Sequence, residues 1–167
     1  MYSECMGINL QKINVKKLVL SLLVSEGAGI FGSLFTVNAI NTWYVTLNKP
    51  FFSPPNWVFG PVWTLLFALM GISLYIVWNK KIDKKVKAHA MSLFFKQLFL
   101  NFLWSIFFFT FKNPAAGLVE IVIMWYFIFQ TIKAFKKIDT TSAYLLYPYL
   151  AWVSFATLLN FAIFVLN

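Results

Sequence analysis

Five apolar runs take up most of this 167-residue chain, and each is long enough, at about 20 residues, to cross a bilayer as a helix. They lie near Leu18–Ala39, Trp57–Trp78, Ala88–Phe111, Pro114–Ile132 and Ala143–Leu166. The runs are continuous. A membrane β-barrel would instead alternate apolar and polar residues over segments of about ten. Charged residues make up 11% of the chain, against about 25% in an ordinary soluble domain, too few to cover a water-facing surface. The expected fold is therefore an all-α membrane protein, a bundle of five transmembrane helices over residues 17–167 behind a loose segment 1–16. The lipid bilayer is its first partner.

The net charge of +9 comes from 14 basic residues, all lysine. Eleven of them precede helix 1 (Lys12, Lys16, Lys17), join helices 2 and 3 (Lys80, Lys81, Lys84, Lys85, Lys87) or end helix 4 (Lys133, Lys136, Lys137). Lys49 and Lys112 fall in the opposite links, and Lys96 lies within helix 3. This asymmetry is the positive-inside pattern and predicts an inside N-terminus and an outside C-terminus. It accounts for the basic excess without a nucleic-acid partner. The single cysteine, Cys5, excludes an intrachain disulfide and a multi-cysteine metal site. No metal is expected, and His89, the only histidine, reads as an interfacial residue beside the lysine-rich link. Helix 1 reads as a retained helix, not a signal peptide, because its apolar run is long and is interrupted by Glu26. Lysine in place of arginine, with abundant phenylalanine, points to an A/T-rich microbial genome and a microbial cell membrane.

One sizeable loop is expected, about Ile40–Asn56, between helices 1 and 2. Pro50, Pro54 and Pro55 fall within six residues and make a stiff, non-helical lead-in to helix 2, because proline fixes φ and lacks an N–H. Aromatic residues flank it on both sides, so the segment reads as a rigid lid over the bundle mouth. The link Lys112-Asn113-Pro114 is little more than a turn, with Pro114 suited to a first helical position. Five helices cannot split into two equal inverted halves, which argues against a transporter of that kind.

Several helix faces carry polar or aromatic stripes. In helix 3, Gln97, Asn101, Trp104, Ser105 and Phe108 share one face. The amides should look inward, either as interhelical glue or as ligand contacts. In helix 5, Tyr149, Trp152, Ala156 and Asn160 form a stripe in which small Ala156 permits close packing or leaves room beside an indole. In helix 2, Trp63, Phe67, Met70, Gly71, Leu74 and Trp78 lie near one face. Trp57 and Trp78 suit interfacial anchoring, and Trp63 is the deeper pocket candidate. Glu120 in helix 4 and Glu26 in helix 1 are intramembrane carboxylates, which either serve a ligand or proton or pair with polar neighbours such as Lys96. Gly27, Gly29 and Gly32 suggest a close helix contact. No phosphate loop and no nucleophile–histidine–acid set is evident.

Three blocks, NTWYVTLNKPFFSPPNWVFGPVWTLLFALMGISLYIVW (Asn41–Trp78), QLFLNFLWSIFF (Gln97–Phe108) and YPYLAWVSFATLLN (Tyr147–Asn160), occur in order. With the AGIFGSLFT of helix 1, the pattern resembles the tryptophan-rich sensory protein family, the TspO and translocator-protein group once called peripheral benzodiazepine receptors. The resemblance implies a pocket between the helices, roofed by the helix 1–2 loop. It implies tetrapyrrole ligands, protoporphyrin IX or haem, bound without a required cofactor. Some members bind cholesterol or benzodiazepine- and isoquinoline-type drugs. By motif, the ligand-binding residues would be Tyr44, Pro54, Trp63, Asn101, Trp104, Phe108, Trp152 and Ala156. Some bacterial members are associated with light- and oxygen-dependent porphyrin breakdown, for which Trp63 and Trp152 would be the catalytic candidates here. A homodimer through helix 3 is a further implication, and a structural or regulatory membrane role is the third reading. No basic residue follows Lys137, so the sterol pattern of animal members is missing from helix 5. The loose match at Leu69, Tyr75 and Lys80 carries little weight. Without arginine, porphyrin propionates would have to meet lysine, amide or hydroxyl donors.

Overall fold

The computed structural model describes residues 13–167. Most of the expected loose segment, with Lys12 and Cys5, lies outside the described residues. Five helical spans are long and apolar enough to cross a membrane, and there is no strand among the described residues. Helix α1 runs Val15–Thr42, α2 Asn56–Asn79, α3 Lys84–Ser105 and α4 Pro114–Lys136. The fifth span is built from a short α5, Thr140–Tyr144, and α6, Tyr147–Leu166. The helices start where capping chemistry allows. Asn14 accepts from Lys17 N at 3.0 Å, Asn113 from Ala116 N at 3.0 Å, and Asp83 from Lys85 N at 2.8 Å, each satisfying a backbone donor orphaned at a helix start. Pro114 occupies the first turn of α4, as its spacing predicts.

Two expected helices are not continuous. Helix 3 does not stay α-helical to Phe111: Ile106–Thr110 form a π turn, closed by Phe111 N donating to Ile106 O at 3.0 Å. The wide turn brings the consecutive rings of Phe108 and Phe109 both into the interior, and π turns recur at functional sites. The fifth span breaks at Leu145-Leu146 because Pro148 has no N–H to give the preceding turn. Pro148 thus begins α6, one of the two roles its position suggests. The link before α5 is held by Asp139, which accepts from Ser142 N at 3.0 Å and pairs with Lys80 Nζ at 2.7 Å. Burial raises the Asp139 pKa, but the Lys80 and backbone hydrogen bonds and the Lys80 charge outweigh it and hold the carboxyl below the usual range.

Around the bundle α1 packs between α2 and α3, α3 on α4, α4 on α6, and the α5–α6 span returns to α2. The half nearest the lysine-rich links is solid. There Phe94 stacks on Phe135 at 5.8 Å, among buried Val77, Ala90, Ile132, Ala143 and Leu146. A Cβ at Gly71 would lie 2.9 Å from Leu22 Cα, so only glycine lets α1 and α2 approach this closely. In helix 1, a Cβ at Gly29 would meet the Phe67 ring and one at Gly32 would lie 3.2 Å from Ser105 Oγ, whereas Gly27 faces open space. The close contact expected of all three glycines therefore holds for two. Apolar side chains such as Leu23, Phe31, Leu65, Phe99, Val119 and Leu158 face outward, as lipid requires.

Candidate functional site

In the other half of the bundle the helices stand apart around a cavity of about 320 Å³ bounded by α1, α2, α3 and α6. That is near the lower end of the roughly 300–1,000 Å³ usual for ligand pockets. Seven of the eight motif residues line it: Tyr44, Trp63, Asn101, Trp104, Phe108, Trp152 and Ala156. Pro54 is not in the wall. It sits in the roof loop just before Pro55, which precedes the first turn of α2.

The wall is aromatic and mutually braced. Trp63 stacks on Phe67 at 5.5 Å, Trp104 on Phe108 at 5.0 Å, and Phe59 meets Trp152 edge-on at 6.0 Å. Polar groups tie these rings to neighbouring helices. Trp104 Nε1 donates to Asn160 Oδ1 at 3.3 Å, and Asn160 Nδ2 donates to Pro114 O at 2.8 Å. Asn101 Nδ2 donates to Tyr149 Oη at 3.1 Å, and Tyr149 Oη to Met124 Sδ at 3.6 Å. Asn101 thus bridges α3 and α6, as the glue reading expects, and it also lines the cavity. Ala156 likewise lines the space one turn beyond Trp152. The Trp152 indole N–H is buried with no acceptor among the described residues.

The carboxylates separate. Glu26 lines the cavity, whereas Glu120 is buried behind it, with neither oxygen partnered among the described residues, and Gln97 is enclosed in the same way. Lys96 pairs with neither acid; its Nζ lies 5.8 Å from the Phe127 ring centre. Phe59, Thr36, Leu159 and Ile163 are wall residues that the motif comparison omits. Phe59 could have been found from its place one turn before Trp63, and Thr36 from its place one turn after Gly32.

The roof is the helix 1–2 loop, as its prolines and aromatics suggest. Tyr44 begins a single 3-10 turn, Tyr44–Thr46, and is buried against Phe59, Phe108 and Phe109. Burial pushes its phenol pKa up, opposed by the Ser53 hydroxyl, and Lys49 Nζ lies 4.4 Å from its ring centre. The loop is clasped to the end of α6: Asn48 N donates to Asn167 Oδ1 at 2.9 Å, and Asn167 Nδ2 donates back to Asn48 O at 3.0 Å. On the side, the exposed wall residues are Ile30, Ser33 and Val37 of α1 and Gly60 and Thr64 of α2. They mark an opening toward lipid at the α1–α2 seam. Among the described residues the wall contains no lysine, and Glu26 is its only acidic or basic side chain.

Fold and site define a multi-pass integral membrane protein with a roofed, aromatic cavity. The chain belongs to the TspO/MBR family, which it matches over residues 21–166. It is 49% identical over 157 residues to the tryptophan-rich protein TspO of Archaeoglobus fulgidus, covering 93% of this chain and 99% of that one. It is 43% identical to the protein of that name from Chlorobaculum tepidum, covering 92% and 99%. With the human translocator protein it shares 37% identity over 133 residues, 79% of each chain.

Proposed function

We propose that the cavity binds a flat, apolar tetrapyrrole such as protoporphyrin IX or haem, and that the protein acts as a sensor, scavenger or carrier of it. The observation that carries this reading is the convergence of Trp63, Trp104, Phe108 and Trp152 on one cavity. Aromatic faces suit a macrocycle, and a few convergent polar groups can orient it. Asn101, Asn160, Ser33, Ser105, Thr36 and Thr64 offer amides and hydroxyls in the wall. Lys49, in the roof loop over Tyr44, is a cation suited to a propionate at the mouth. The α1–α2 opening lets a lipid-dissolved ligand enter sideways. No cofactor is needed for binding, and the missing sterol pattern disfavours cholesterol.

A second reading, photo-oxidative porphyrin breakdown, is favoured by Trp63 and Trp152 both lying in the wall. The lysine-rich end faces the inside in this account, and self-association through the outward Phe95 and Phe99 of α3 is compatible with it. The test is a dark titration of the purified protein with protoporphyrin IX, followed by tryptophan fluorescence, beside a Trp63→Phe/Trp152→Phe variant. Saturable quenching that weakens in the variant supports the pocket. Linear quenching in both refutes it. A protein-dependent product on illumination in oxygenated buffer, absent from the variant, would favour the enzyme.

A further inference from the structure

At the lysine-rich end, away from the cavity, a groove of about 550 Å³ runs between α3 and α4. Lys85, His89 and Leu93 form one wall and Lys133, Ala134 and Lys137 the other. Lys85, His89 and Leu93 recur every four residues on α3, and Lys133 and Lys137 are four apart on α4, so the groups of each wall face the same way. From Lys85 to Leu93 the groove descends about 12 Å at the helical rise, from the end of the bundle into its apolar belt. Below it on α4 lie the outward rings of Phe129 and Tyr126.

Among the described residues the lysines of this groove form no ion pair. Among the described residues the single salt bridge is Lys80–Asp139. Asp83 Oδ1 accepts from the backbone N–H groups of Lys85 and Val86. Glu26 and Glu120 lie within transmembrane helices, the former at the cavity and the latter buried. Lys133 is drawn toward the apolar belt, with Nζ 5.5 Å from the Phe129 ring centre one turn deeper. A cationic rim that continues into an apolar trough matches a ligand with an anionic head and hydrocarbon tails. Basic pockets between transmembrane helices recognise phospholipid headgroups in this way.

We propose that the α3–α4 groove is a specific site for an anionic phospholipid, with its phosphate held by Lys85, Lys133 and Lys137 and its acyl chains lying along Leu93 and Phe129. The site is separate from the tetrapyrrole cavity and does not depend on that assignment.

The test uses the full chain in neutral detergent, titrated separately with phosphatidylglycerol and phosphatidylcholine, with bound lipid counted by native mass spectrometry. One phosphatidylglycerol per chain should be retained in preference to phosphatidylcholine. Lys133→Gln alone should weaken it about fivefold, and Lys85→Gln/Lys133→Gln/Lys137→Gln together on the order of a hundredfold. The control, Lys81→Gln/Lys84→Gln/Lys136→Gln, removes the same charge from the same end outside the groove and should retain the lipid. Equal loss in groove and control variants would assign binding to diffuse charge and overturn the proposal. Displacement of phosphatidylglycerol by millimolar inorganic phosphate would identify a free-anion site and overturn it too. If the triple variant does not fold, Lys133→Gln compared with Lys136→Gln decides the question.

Discussion

Replacing Asn160 with alanine tests how the cavity wall is held. Asn160 is 2% exposed and joins three helices, accepting from Trp104 Nε1 of α3 and donating to Pro114 O of α4. Interhelical hydrogen bonds in membranes contribute about 0.6 kcal/mol each on average, so losing two removes about 1.2 kcal/mol. The half-buried Trp104 N–H left without its acceptor adds a penalty of about 1 kcal/mol. Asn160→Ala should therefore destabilise by roughly 2 kcal/mol in total, read from reversible unfolding in mixed detergent micelles. Trp104→Phe keeps a ring against Phe108 but loses the N–H, and should cost about 0.6 kcal/mol through that bond, with any packing loss added. Because the indole is less firmly placed in Asn160→Ala, porphyrin affinity should fall about threefold, the equivalent of one such bond. An Asn160→Ala protein within about 0.5 kcal/mol of wild type, the usual range of an inconsequential surface change, would refute the claim that Asn160 braces the wall.

Three further outcomes follow from particular contacts. Asn167→Ala removes two hydrogen bonds between the roof loop and α6, at about 0.5–1 kcal/mol each, and should speed porphyrin release by about five- to thirtyfold in stopped-flow fluorescence; an unchanged release rate would show that the clasp does not gate the cavity. Asp139→Asn keeps a capping side chain but loses the charge pair with Lys80, costing up to about 1 kcal/mol at neutral pH. Because the folded pKa of Asp139 lies below its ordinary 3.8, that stability is present above the ordinary value and is lost as pH falls through the folded one. Unfolding at pH 7 and pH 3 should therefore show the gap between wild type and variant narrowing in acid, and a constant gap would exclude the linkage. Gly71→Ala places a Cβ 2.9 Å from Leu22 Cα and should destabilise by about 1–3 kcal/mol, despite the better helix propensity of alanine, as thermal unfolding would report.

Much of this was legible from residue type and spacing because bilayer physics leaves few choices. A run of about 20 apolar residues has no low-energy form in lipid except a helix, so the spans were readable. The Pro50–Pro55 segment could not be helical, so the roof was readable too. The two helix breaks were harder. Pro148 signalled its own, but the π turn at Ile106–Thr110 has no single residue type as a marker and arises from packing Phe108 and Phe109 together. The motif blocks located seven wall residues, yet Pro54 shows that a conspicuous residue can serve the loop backbone without reaching the cavity. Glu26 and Glu120 look equivalent in the sequence, each a lone carboxylate in an apolar helix. Only the rotation of each helix against its neighbours puts one at the cavity and the other behind it.

The most direct test of the central claim fills the cavity while sparing the rest of the bundle. Ala156→Phe places a ring in the space beside Trp152, whereas Leu158→Phe, on the outward face of the same helix at 63% exposure, adds similar bulk toward lipid. In a dark protoporphyrin IX titration, saturable tryptophan quenching should disappear in Ala156→Phe and persist unchanged in Leu158→Phe, with both proteins folded by circular dichroism. Wild-type titration curves for both variants would place the porphyrin elsewhere and contradict the assignment of this cavity.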